Sequence, residues 1–413
     1  MKKLALSGAL AAIVAIPALG IEVYSNEEKG ASVELYGSLR GFVGGGGITS
    51  DRPANSTNDG SYIIGFQNNS HFGINSKYGK LFTKVEFGLR EGGFLGTVAG
   101  PGLRKVFGTY DFGSGGKLTF GKIDTPTIEG GFQSDFNNND AGGNGFGSVT
   151  TGSRKLQIQY SHSGATIAII HDDAANNDAG TLAVITSGSG TTFPYNAGSA
   201  YTGVGHSRIP RIALSYEGKI GEKGKFKVAA TYKYFDRTKT NLTLTGHSGD
   251  VHAGHLLVGA KVPLGNAYLS TIFNYGINGH TYGEQMTAAS AGGYGYTINL
   301  HSVNSVDLIG LNAQRAGLLL EGGAKINDTI SLAAGVGYQA TFNGENQRGN
   351  DRSQDRQAIH SYKIYANLPI NVAKGFQVVP QLGFYDVVQT YKDISTNTHQ
   401  SALVGLVRLK YDF

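Results

Sequence analysis

From Ser32 to Phe413 residues of opposite character alternate along the chain with period two. That period puts successive side chains on opposite faces of a β-strand. Between Thr329 and Phe342, one face carries Ile330, Leu332, Ala334, Val336, Tyr338, Ala340 and Phe342; the other carries Thr329, Ser331, Gly335, Gln339 and Thr341. Leu81, Val85, Phe87 and Leu89 oppose Lys84, Glu86 and Arg90 in the same way. The last stretch sets Leu403, Val407, Leu409, Tyr411 and Phe413 against Arg408, Lys410 and Asp412. Such strands divide an apolar surface from an aqueous one. A soluble sandwich with its apolar face inward has the same alternation, so spacing must decide.

Short links fall at Ser76 to Lys80, Gly113 to Gly116, Ser163-Gly164, Gly218 to Gly224, Pro263 to Asn266, Ile326 to Asp328 and Asn371 to Gly375. Long polar ones interleave with them: Thr49 to Gly60, Glu91 to Gly102, Pro126 to Thr151, Asp173 to Ser207, Thr238 to Asp250, Ile277 to Gln314, Gly344 to Arg356 and Tyr391 to Thr398. Short turns at one end and long loops at the other predict about sixteen strands in an up-and-down order, an all-β transmembrane antiparallel barrel. Closure leaves no sheet edge and pairs every backbone group within lipid. Pro380 falls mid-strand, where it removes a ladder donor. The apolar run Val306 to Leu311 is placed inside a loop, and the stretch Leu103 to Phe112 does not reveal which parity faces out.

Composition narrows the function. There is no cysteine, which excludes disulfides and thiol-based metal or redox sites. Charged residues are 16% of the 413, and the formal charge of +5 comes without a basic run, so nucleic acid is not an expected partner. Met1 to Gly20 reads as a secretory signal: Lys2 and Lys3, an apolar run from Leu4 to Ile16, then small residues at Ala18 and Gly20 before a cleavage point at Ile21. The chain from 21 to 413 is then one barrel domain.

Three motifs stand out: Val33-Glu34-Leu35-Tyr36-Gly37 near the mature start, Leu118 to Lys122 followed by Asp124-Thr125-Pro126 and Ile128 to Phe132, and Leu409-Lys410-Tyr411-Asp412-Phe413 at the end. Together they resemble motifs of the general diffusion porins of Gram-negative bacteria. The resemblance implies a bacterial outer-membrane location, a homotrimer, and a third loop folded into the lumen. It also implies passive passage of small hydrophilic solutes and ions. Tyr411 and Phe413 become the signal read by the barrel-assembly machinery. The third loop carries Asp124, Glu129, Asp135 and Asp140 and no basic residue. Opposite a wall bearing Arg40, His71, Lys84, Arg90 and Arg104, these carboxylates would set a transverse field across a narrow passage. Arg104 enters by family position, and His71 stands where the family often has arginine, which would make the positive side pH-sensitive. The family's commoner Pro-Glu-Phe-Gly-Gly is replaced here by Ile128-Glu129-Gly130-Gly131-Phe132.

Other chemistry lacks support. His252 and His255 take opposite parities, so with His247 and Asp250 they read as a solvated loop end rather than a metal site. Gly116 to Lys122 imitates a phosphate loop, but Ile123 stands where Ser or Thr should bind magnesium, and its alternation is that of a strand. No catalytic motif and no cofactor motif is present, so an enzyme is not expected. Tyr232, Tyr234, Tyr338, Tyr362 and Tyr411 fall on outward faces, as interfacial aromatics do. Two alternatives stay open: a substrate-specific channel for sugars or anions on a similar barrel, and a secreted Gly-rich adhesin.

Overall fold

A computed structural model describes residues 20–50, 58–67, 69–92, 97–140, 145–147, 154–171, 209–236, 250–278, 291–293, 296–298, 314–342, 356–391 and 398–413. The strands, in chain order, are β1 (Ile21–Asn26), β2 (Ala31–Ser50), β3 (Asn58–Phe66), β4 (His71–Tyr78), β5 (Leu81–Gly92), β6 (Thr97–Asp111) and β7 (Gly116–Asp124). After a short helix α1 (Phe136–Asp140) come β8 (Arg154–His162), β9 (Ala165–Ile170), β10 (Arg211–Ile220), β11 (Gly224–Asp236), β12 (Asp250–Leu264) and β13 (Ala267–Ile277). A small hairpin, β14 (Ala291–Gly293) and β15 (Tyr296–Ile298), precedes β16 (Gln314–Lys325), β17 (Ser331–Phe342), β18 (Arg356–Asn367), β19 (Ile370–Ala373), β20 (Phe376–Tyr391) and β21 (Thr398–Asp412).

Every pairing is antiparallel, and β2 pairs with β21, which closes the sheet. Three staves are composite. The segments β3 and β4 run end to end along β2, and β18 and β19 do the same along β20. The third stave is made from both chain ends, β21 pairing with β2 from Ser38 and β1 continuing the line to Ala31. Gly37 and Phe413 clasp the seam, with N–H to O distances of 2.8 and 3.0 Å between them. Merging the three pairs turns the nineteen-segment sheet into sixteen staves.

Pro380 lies in β20 opposite the break between β18 and β19. Leu368 N–H donates to Pro380 O there at 2.9 Å, so the missing proline donor falls where the ladder is already interrupted. The parity of β6 is unreadable in sequence for a related reason. A bulge pairs Glu86 with Lys105 and Phe87 with Leu103, leaving Arg104 as the extra residue, so Arg104 and Lys105 both reach inward. The run Val306 to Leu311 and His247 lie outside the described residues.

The polarity of the barrel is inverted relative to a soluble protein. Ile64, Ile364, Leu382 and Leu403 are each more than half exposed on the outer face, while Arg211, Lys233, Arg315 and Lys363 are buried on the inner one. Transferring one such aliphatic side chain from water to an apolar medium stabilises by roughly 2 kcal/mol. A sheet with many of them outward is therefore stable in lipid and a liability in water.

Candidate functional site

Between β7 and β8 the chain leaves the sheet and lies against the inward face of distant strands. Gly130 and Gly131 hold positive φ values of 70° and 81°, which reverse the chain after Glu129 at no Cβ cost. Phe132 then packs among Ala229, Leu257, Ile272 and Leu319, apolar residues on the inward faces of β11, β12, β13 and β16. It fits because Gly259 leaves the niche open: a Cβ there would sit 2.8 Å from the ring. Ser270 Oγ donates to Phe132 O at 2.6 Å.

Two residues on, Ser134 donates its N–H and its hydroxyl to Glu321 Oε2, at 2.5 and 2.6 Å, and accepts from Asn367 Nδ2 at 2.8 Å. Asp135 caps α1, its Oδ1 accepting from the N–H groups of Asn137 and Asn138. The same carboxylate meets Lys363 Nζ (3.1 Å), Gln381 Nε2 (2.6 Å) and Tyr385 OH (3.0 Å). Phe136 and Phe146 complete the attachment by joining Phe42, Val379, Val404 and Leu406 in a second inward apolar cluster. Phe146 meets Tyr385 edge to face at 5.5 Å, and the Arg408 guanidinium covers the Phe136 ring at 4.6 Å.

The opposite wall, from β2 to β8, carries charge at its surface. Glu86 is the hub of one group: Arg104 Nε donates to it at 2.8 Å, Tyr36 OH at 2.9 Å, and Lys84 and His71 stand at 3.8 and 3.9 Å. Asp124 is the hub of another, between Lys105 at 2.5 Å and Arg154 at 3.2 Å. Arg40 donates to Ser38 Oγ, which in turn donates to Asp412, beside Lys410.

The residues singled out in the sequence thus have different surroundings. Arg40, His71, Lys84 and Arg104 share the charged wall with Asp124. Glu129, accepting from Gln133 Nε2 at 2.7 Å, is buried, and Asp135 is buried at the anchor; neither carboxylate faces open water. Asp140 ends α1 and Arg90 lies in β5 opposite Ala99; their side chains are outside the described residues. Tyr411 is outward beside Phe413, ring centres 6.1 Å apart. Sequence reasoning missed Lys105 and Arg154, and all the anchors on the far wall. One signal was available: Phe132, Phe136 and Phe146 are large aromatics in an otherwise polar connection, and Val404 and Leu406 are apolar at inward parity.

A closed antiparallel barrel of sixteen staves, apolar outside and polar within, is the architecture of outer-membrane porins. Solved structures share it across nearly the whole chain. The outer membrane channel DcaP of Acinetobacter baumannii superposes with a TM-score of 0.59 at 13% identity, covering 94% of this chain and 99% of that one. OmpT, an outer membrane protein of Vibrio cholerae, gives 0.53 at 14% identity with 95% and 99% covered. The anion-selective porin from Comamonas acidovorans gives 0.53 at 12% identity with 93% and 100% covered. At these identities the likeness is one of fold. No protein-family model matches the chain, and no curated protein matches it.

Proposed function

We propose that the chain is a non-enzymatic porin of the bacterial outer membrane, through which small hydrophilic solutes and ions diffuse passively. In this reading residues 1–20 are a removed secretory signal, the barrel-assembly machinery inserts the chain through Tyr411 and Phe413, and three copies associate. The observation that carries the proposal is the inverted polarity: a closed barrel with an aliphatic outside and a hydrogen-bonded, charged inside. The described residues of the connection between β7 and β8, 125–140 and 145–147, narrow the lumen in this reading. Their bonds to Ser270, Glu321, Lys363, Asn367 and Gln381 support this, since all five belong to the inward face of β13 to β20. The remaining passage then runs between this segment and the wall of Arg40, Lys84 and Arg104.

One observation favours a more selective channel as the second reading. The β14–β15 hairpin comes from the connection between β13 and β16, yet it lies beside β2, β21 and α1, the helix of the segment itself. Swelling of liposomes containing the protein separates the readings. A general pore admits neutral sugars at rates falling smoothly with size, and a selective one admits a single solute class far faster than others of equal size. Liposomes that stay impermeable to all of them contradict both.

A further inference from the structure

We infer that the passage selects for small hydrophilic anions, inorganic or carboxylate. This rests on the channel reading above and follows from how charge is paired on the two sides of the segment.

On the segment side, each carboxylate has a lysine of its own. Asp135 pairs with Lys363 at 3.1 Å. Glu129 lies within electrostatic range of Lys225, and Glu321, which holds Ser134, lies within that of Lys261. All three carboxylates are at most 3% exposed. The carboxylates of this side are thus each matched by a lysine, and they are withdrawn from water.

The facing wall is paired differently. Glu86 is shared by Lys84 and Arg104, and Asp124 by Lys105 and Arg154, so each carboxylate meets two permanent cations. The two groups are adjacent, with Lys84 acting on Lys105 and Asp124, and Arg154 on Arg104 and Glu86. Within the Glu86 group burial differs by sign: the side chains of Lys84 and Arg104 are 22% and 13% exposed, against 4% for Glu86. Asp124 is the wetter member of its group, at 36%, and is saturated by its two partners. Glu34 also acts on Lys84, and Arg40 stands beside His71. Among the described residues the formal charges of this patch (Arg40, Lys84, Arg104, Lys105 and Arg154 against Glu34, Glu86 and Asp124) therefore sum to +2. They face a low-dielectric surface whose carboxylates are already matched, an arrangement that focuses the field into the water between.

Two surplus charges within a Debye length of a permeating ion, about 8–10 Å at physiological salt, set a local potential on the order of one kT. Such a potential raises anions and lowers cations by similar factors, so the anion-to-cation permeability ratio becomes roughly five- to tenfold.

The test is the reversal potential of the purified protein in a planar bilayer under a KCl gradient at low ionic strength. Chloride should permeate several-fold better than potassium, and the ratio should fall toward one as salt rises. Lys84→Gln with Lys105→Gln cancels the surplus and should bring the ratio close to one. Lys374→Gln, at the exposed turn between β19 and β20, should leave it unchanged. A conducting wild-type protein with a ratio of one, or with preference for potassium, overturns this inference and leaves the channel reading standing. Folded protein that does not conduct overturns both. The wild-type measurement decides the matter even where the double variant fails to fold.

Discussion

Lys363 Nζ lies 3.1 Å from Asp135 Oδ2, and neither side chain has any solvent exposure. The pair ties the segment after β7 to a strand 228 positions further along the chain. Removing one member of a buried pair leaves an uncompensated charge and typically costs about 3–5 kcal/mol. Lys363→Met should therefore free the segment from β18 and β20, giving larger and noisier single-channel currents. Lys363→Met combined with Asp135→Asn removes both charges and should recover much of the quiet wild-type trace. Unchanged currents in the single variant would show that the segment does not border the conducting path.

The other attachment is steric. Phe132 fills the niche above Gly259. Truncating a buried phenylalanine to alanine costs about 3–5 kcal/mol. Gly259→Val fills the niche from below and should displace the ring without touching the segment's own sequence. Both variants are expected to make the segment around Gly130 and Gly131 cleavable by protease in folded barrels. Resistance equal to wild type in both would mean that the polar anchors alone hold it.

The strands most legible in sequence are those whose two faces meet different media. β17 alternates cleanly because Leu332, Val336 and Tyr338 face outward while Gly335, Gly337 and Gln339 line the inside. The pattern fails where the inside is not water. Val404 and Leu406 break the polarity of β21 because Phe136 and Phe146 cover them, a contact set by residues hundreds of positions apart. The bulge at Arg104 hid the parity of β6, since one extra residue flips every side chain beyond it. Arg40 and Lys84 could be read from parity and Arg104 only from the family resemblance, whereas the burial of Glu129 and Asp135 could not be read at all. A carboxylate in a polar loop looks solvated until its partners are known, Gln133 for Glu129 and Lys363, Gln381 and Tyr385 for Asp135.

The seam makes a prediction about assembly. Phe413 exchanges backbone hydrogen bonds with Gly37, and its ring stands by Tyr411. Phe413→Asp places a charge near the membrane interface, where the cost to the folded barrel is only about 0–1 kcal/mol. A large fall in the outer-membrane level of this variant would therefore reflect insertion rather than stability. Normal levels would remove Phe413 from the assembly signal.

Closed ladders open only cooperatively, so the folded protein should resist sodium dodecyl sulfate at room temperature and shift in mobility on boiling. If three copies associate, the unboiled band should run as an oligomer in crosslinked and uncrosslinked samples alike. An unboiled band at the position of the unfolded chain contradicts the closed barrel in detergent.

Single-channel conductance of the purified, folded protein in a planar bilayer tests the account most directly. A water-filled barrel narrowed by a fixed segment predicts discrete, steady, ohmic steps whose size rises in proportion to bulk electrolyte conductivity at high salt. Folded, heat-modifiable protein that inserts into the bilayer and passes no current would contradict it.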